Sequence, residues 1–110
     1  MKLSILIPVY NEEKTIIAVL ERIKKTKVED IDYEIIVIND GSTDATKKLL
    51  EDNNTLYNSL INNSRNSGKG FSVKQGLKIS TGEYIIFQDA DLEYDPIEFE
   101  KFIKVFREFN

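Results

Sequence analysis

The chain contains no cysteine and no histidine. Together these absences remove disulfides, thiolate metal sites, the usual imidazole ligand and the usual base for neutral pH. Any metal bound here must sit on oxygen, which favours a hard cation such as Mg²⁺ or Mn²⁺ on carboxylates and argues against structural zinc. There is no basic run either: 15 Lys and Arg face 19 Asp and Glu, for a net charge of −4. The electrostatics therefore argue against a nucleic-acid partner. No stretch approaches the ~20 apolar residues that span a bilayer. The apolar start, Met1 to Val9, contains Pro8 and gives way at once to the polar Tyr10 to Lys14, which reads as a strand and not a signal peptide. A cytoplasmic location is expected. The sequons at Asn53 and Asn62 then carry little weight, because the motif is common by chance.

What is present is a balance of 41% apolar and 31% charged residues over 110 positions, the composition of a globular chain and at most one domain. Leu3 to Val9 is a short, nearly uninterrupted apolar run, as expected for a strand buried on both faces. Asn11 is placed to cap a helix carrying Glu12 and Glu13 in its first turn, with Ile16, Leu20 and Ile23 on one face, ending near Lys27. Tyr33 to Ile38 is the second strand. It breaks at Asn39-Asp40-Gly41-Ser42 into a helix capped by Ser42 or Thr43 and running to about Asp52. Leu56 to Ile61 is a weaker strand candidate. Gly68 to Ile79 reads as a helix entered through Gly-Lys-Gly and stopped by Gly82, and Tyr84 to Phe87 as a further buried strand. Asp95, Pro96 and Glu98 mark the start of a last helix with a stripe of Phe99, Phe102, Phe106 and Phe109. Strands alternating with helices predict an α/β fold, an open and mainly parallel sheet with helices on both faces.

In such a sheet ligands bind beyond the carboxyl ends of the strands, where strand order reverses. The unusual polar clusters all fall at those ends: Tyr10 to Glu12, Asp40, and Gln88 to Asp91. In Asp89-Ala90-Asp91 two carboxylates one residue apart repel each other, and a divalent cation shared with diphosphate oxygens answers that repulsion. In this reading Asp91 ligates the metal directly, and Asp89 acts through water or on a ribose hydroxyl. A solvated acidic loop capping a helix is the plainer alternative. Asp40 can accept a hydrogen bond from a base N–H, although its segment is equally a good turn and helix cap. Tyr10 can stack on a base and the backbone at Pro8 can meet its edge, or both can be ordinary partly buried residues. Lys69 between Gly68 and Gly70 suits a phosphate. It is not a P-loop lysine, since Asn63 stands where the first glycine belongs and Gly70 where Ser or Thr should be.

Taken together, Ile7-Pro8-Val9-Tyr10-Asn11-Glu12-Glu13, Asn39-Asp40-Gly41-Ser42-Thr43-Asp44, Asn66-Ser67-Gly68-Lys69-Gly70 and Gln88-Asp89-Ala90-Asp91-Leu92-Glu93-Tyr94-Asp95-Pro96 resemble the family 2 glycosyltransferases of the GT-A fold. The branch most resembled includes dolichol-phosphate mannosyltransferase and the polyprenyl-phosphate sugar transferases. The resemblance implies a nucleotide-diphospho-sugar donor, UDP- or GDP-linked, with Pro8, Tyr10, Glu12 and Asp40 about the nucleoside. Asp89 and Asp91 would lie around Mg²⁺ or Mn²⁺, and Lys69 and Ala90 are counted with the donor-binding residues. One departure is Asn39, where the family often has an acid. The reaction implied is inverting sugar transfer to an acceptor such as a polyprenyl phosphate or a cell-envelope glycan. The family's base lies in a second half of the domain, so residues 1–110 are expected to be the nucleotide-sugar-binding half, truncated at the C-terminus and inactive alone. Membrane contact is expected only through that missing region or a lipid acceptor, at the cytoplasmic face. Two other readings remain open: a non-catalytic nucleotide-binding module, and a receiver-type Mg²⁺-binding domain, disfavoured because the run near Ile61 ends in Asn62 and Asn63 and not in a phosphorylatable Asp.

Overall fold

The computed structural model describes residues 1–26 and 28–91. Among them are strands β1 (Lys2–Val9), β2 (Asp32–Asn39), β3 (Ser59–Asn62) and β4 (Tyr84–Phe87), helices α1 (Ile16–Lys25), α2 (Thr46–Asp52) and α3 (Lys69–Ile79), and a single 3₁₀ turn at Asn54–Leu56. The helix expected from Asp95, with its phenylalanine stripe, lies outside the described residues.

The described strands form one sheet in the order β3-β2-β1-β4, and every pairing is parallel. Strand order runs one way from β1 through β3 and then reverses, so the switch point falls between β1 and β4. This order removes the receiver-type reading. A receiver sheet places its first strand between the second and third, whereas here β1 lies between β2 and β4.

The β1 and β2 runs are apolar without alternation because both of their faces are covered. On one face Leu3, Ile5, Ile7 and Val9 of β1, with Ile35 and Val37 of β2, meet Ile16, Val19, Leu20 and Ile23 of α1 and Leu50 of α2. On the other, Leu6, Ile36 and Ile38 form a smaller cluster with Ile61. Helix α3 lies on that second face. A Cβ added at its Gly76 would come within 3.0 Å of Ile38 Cδ1 and 3.2 Å of Leu6 Cδ2.

Strand β4 differs from the buried strand expected. Ile85 and Phe87 are 38% and 53% exposed, because α3 packs over β2 and β1 and leaves that side of β4 uncovered among the described residues. Strand β3 is also displaced from expectation: Leu56 closes the 3₁₀ turn, and pairing begins only at Ser59.

Register sets the level of the rim. Val9 pairs with Asn39 and Asn39 with Asn62, so β1, β2 and β3 end in one row. Strand β4 stops opposite Leu6, short of that row, and residues 88–91 run along the step this leaves.

Candidate functional site

Each loop leaving the carboxyl end of a strand is bonded to the next, and the sequence places the bonding groups. After β1 the chain turns at Asn11, which adopts a left-handed φ of 52°, a conformation asparagine tolerates better than most residues. Asn11 does not cap α1, which begins only at Ile16. Its Oδ1 instead accepts from the Thr43 amide at 2.7 Å and the Asp44 amide at 3.3 Å, while its own amide donates to Ser42 Oγ at 2.9 Å. Ser42 and Thr43 are thereby used between loops and do not cap α2, whose first helical residue is Thr46. The capping of α2 comes from elsewhere. Asp44 Oδ1 accepts from the Thr46 amide at 2.9 Å, and Glu13 Oε2 accepts from the Ala45 amide at 3.0 Å. Glu13, expected in the first turn of α1, thus places its charge at the positive end of α2.

The second and third loops meet through Asp40. Its side chain is 4% exposed. Oδ1 accepts from the Ser67 amide at 2.9 Å and from Asn63 Nδ2 at 3.1 Å, and Oδ2 accepts from the Gly68 amide at 2.8 Å. Burial pushes this carboxyl up, but the bonds from Ser67, Asn63 and Gly68 outweigh it and hold the pKa below the ordinary aspartate range. The buried Ser72 hydroxyl finds no hydrogen-bond partner among the described residues, so the depression rests on Ser67, Asn63 and Gly68. The approach of these loops depends on Gly41. At φ 72° a Cβ there would lie 2.2 Å from the Arg65 carbonyl carbon, so only glycine fits.

Asn39, beside Asp40, is 2% exposed. Its amide donates to Asn62 Oδ1 at 3.0 Å and its Oδ1 accepts from the Ser42 amide at 3.3 Å. A neutral amide satisfies both partners without placing a second charge in the interior next to Asp40.

Two further bonds complete the ring. Thr15 Oγ1 donates to the Ala90 carbonyl at 2.8 Å, joining the first and fourth loops. Lys69 Nζ, on the first residue of α3, lies 2.8 Å from Asp89 Oδ1, joining the third and fourth.

The ring encloses a cleft of about 400 Å³ at the switch point. Its lining includes Pro8, Tyr10 and Glu12 from the first loop region, Asp40 from the second, Lys69 from α3, and Asp89, Ala90 and Asp91 from the fourth. Every candidate donor-binding or metal-ligating residue from the sequence therefore lines one cavity. They do not present themselves alike, however. Tyr10 is 43% exposed, with its ring available, whereas Ala90 is buried in the larger core cluster and its carbonyl is taken by Thr15. Asp40 turns most of its acceptor capacity toward protein amides. Asn66 and Ser72 also line the cleft. Asn66 stood within a motif already quoted, but Ser72 carried no sequence signal beyond one hydroxyl in a helix.

The donor set fits a hard cation of one kind. Among the described residues no group of three or more His, Cys, Asp or Glu side chains is suited to hold a metal. Asp89 and Asp91 offer carboxylates on one loop, enough for a cation that takes one or two carboxylates and fills its remaining positions with water and substrate phosphates. Among the described residues, no helix is long and apolar enough to cross a membrane.

Comparison with known proteins agrees with the fold. The chain is 36% identical over 108 residues to the undecaprenyl-phosphate 4-deoxy-4-formamido-L-arabinose transferase of Proteus mirabilis, covering 93% of this chain and 32% of that protein. The chain spans less than half the length of four curated relatives it matches, between 15% and 47% of each. Its fold superposes on S. aureus TarS residues 1–349 in complex with UDP-GlcNAc with a TM-score of 0.81 at 29% identity, over 98% of this chain and 32% of that one. It also superposes on the mannosyltransferase PcManGT of Pyrobaculum calidifontis in complex with GDP-Man and Mn²⁺, with a TM-score of 0.75 at 26% identity, over 93% of this chain and 31% of that one. The architecture is that of the GT-A glycosyltransferases. The model of the glycosyl transferase family 2 matches residues 4–110, and the chain belongs to that family.

Proposed function

We propose that the cleft binds a nucleotide-diphospho-sugar, UDP- or GDP-linked, for inverting transfer of the sugar to an acceptor such as a polyprenyl phosphate or a cell-envelope glycan. The observation that carries this reading is the convergence of Glu12, Asp40 and the Asp89 and Asp91 pair, from three separate loops, on one cavity at the switch point of the sheet. Likeness to transferases crystallised with UDP-GlcNAc and with GDP-Man and Mn²⁺ supports the donor class.

The exposed Tyr10 ring is the platform for the base, with Pro8 and Glu12 beside it. Asp40, kept ionised by its amide donors, has acceptor capacity left for one N–H of the base. Asp91 and Asp89 hold Mg²⁺ or Mn²⁺, and Lys69 meets the diphosphate. The cation, when bound, supplies charge neutralisation on the diphosphate oxygens. We assign no residue of this chain the role of the base that deprotonates the acceptor, and we place the cleft in the donor half of a two-part active site.

Titration calorimetry with UDP and GDP, with and without Mn²⁺, tests the reading. Binding should require the cation and fall at least about 10-fold in Asp91→Ala, since a charged contact contributes roughly 1.5–3 kcal/mol. Equal affinity without Mn²⁺, or in the variant, would refute it.

A further inference from the structure

The ion pair across the cleft has a consequence for the order of events at the proposed donor site. Lys69 Nζ contacts Asp89 Oδ1 at 2.8 Å, and both side chains are mostly exposed, at 66% and 60%. Exposed pairs of this kind are weak and exchange readily. Lys69 is flanked by Gly68, at φ 99°, and by Gly70. The Lys69 side chain, two-thirds exposed, is thus free to change partner beside the cleft that Gly68, Lys69, Asp89 and Asp91 all line.

We propose that the Lys69 ammonium and the divalent cation are alternative partners of Asp89, so that a cation arriving at this carboxylate releases Lys69 to the diphosphate. The proposal rests on the metal-assisted donor reading above. A cation on Asp89 and an ammonium on the same carboxylate would stand within a few ångströms of each other, a repulsion that favours departure of the more mobile group. The displaced lysine finds its counter-charge on the diphosphate. Cation and nucleotide thus bind with positive coupling, each favouring the state in which Lys69 has left Asp89. In their absence Lys69 neutralises one member of the Asp89 and Asp91 pair and holds the fourth loop against α3.

The test separates two effects of opposite sign. In Lys69→Met, Mn²⁺ alone should bind about 2- to 5-fold more tightly, the range set by loss of an exposed competing ion pair, as read from the electron paramagnetic resonance signal of free Mn²⁺. In the same variant UDP or GDP at saturating Mn²⁺ should bind at least about 10-fold more weakly, through loss of a charged contact. Lys69→Arg, which keeps the charge, should restore both values toward wild type. Because the pair is exposed and weak, both variants should still unfold in one cooperative transition with a midpoint close to that of wild type. Mn²⁺ affinity that is unaltered or lower in Lys69→Met would overturn the exchange while leaving the metal reading standing. Absence of Mn²⁺ binding in wild type and variant alike would overturn the metal reading on which it rests.

Discussion

Asp40 shows what a single residue does here and how much of it the sequence discloses. Its place directly after a strand marked it as an acceptor beyond the sheet's carboxyl edge. Its partners could not be read, because two of them, the Ser67 and Gly68 amides, are backbone groups that carry no residue signature. The pH dependence of stability follows from the hydrogen bonds. Asp40, Asp44 and Glu34 all have folded pKa values below their ordinary ones. For each, burial raises the value, but the bonds outweigh it: for Glu34 from Thr81 and Ser4 with the charge of Lys2, for Asp44 from Thr46 and the Glu13 amide. A depressed folded pKa contributes stability that is fully present above the unfolded value, near 4 for carboxylates, and is lost as pH falls through the folded value. Thermal midpoints should therefore be flat from neutral pH to about 5 and fall below about 4. Asp40→Asn should lower the midpoint at pH 7, where its ionised acceptor is lost, and flatten the acid fall. Equal acid slopes in wild type and variant would show that Asp40 carries none of this dependence.

At the scale of elements, strands β1 and β2 and the start of α3 were legible, and the starts of α1 and α2 were not. The consecutive isoleucines and valines of β1 and β2 need no alternation, since a sheet covered on both faces selects β-branched residues at every position. The spacing of Ile16, Leu20 and Ile23 likewise located the face of α1. Capping misled because Asn11, Ser42 and Thr43 have the right chemistry for helix starts, yet their side chains face each other across two loops. A reciprocal use of caps is a long-range fact, and local pattern is blind to it. Asn11→Ala should cost about 1–2 kcal/mol, combining loss of the Thr43 and Asp44 bonds with a left-handed φ that alanine resists. Asn11→Gly, which relieves the backbone alone, should recover only part of that. Urea denaturation distinguishes the two contributions. Full recovery in the glycine variant would mean that the cross-loop bonds contribute nothing.

Across the whole molecule, function depends on topology more than on any one motif. An order of β3-β2-β1-β4 opens the sheet between β1 and β4, and each loop leaving its carboxyl end is fastened to a neighbour around that opening. The sequence disclosed most of the residues that gather there, since Tyr10, Glu12, Asp40, Asp89 and Asp91 each come shortly after a strand. The ring that holds them, from Asn11 through Asp44, Asp40, Gly68 and Lys69 to Asp89, Ala90 and Thr15, became visible only in three dimensions. The central claim is that these loops share one cation-assisted nucleotide site. Amide spectra of the ¹⁵N-labelled chain, recorded with a trace of Mn²⁺ and saturating UDP, test it most directly, because paramagnetic broadening falls off steeply with distance from the ion. Signals of Tyr10, Gly68, Lys69, Asp89 and Asp91 should disappear together while those of Lys25, Asp32 and Glu83, at the amino-terminal end of the sheet, persist. Broadening centred on that opposite end, or spread evenly over the acidic surface, would contradict the account.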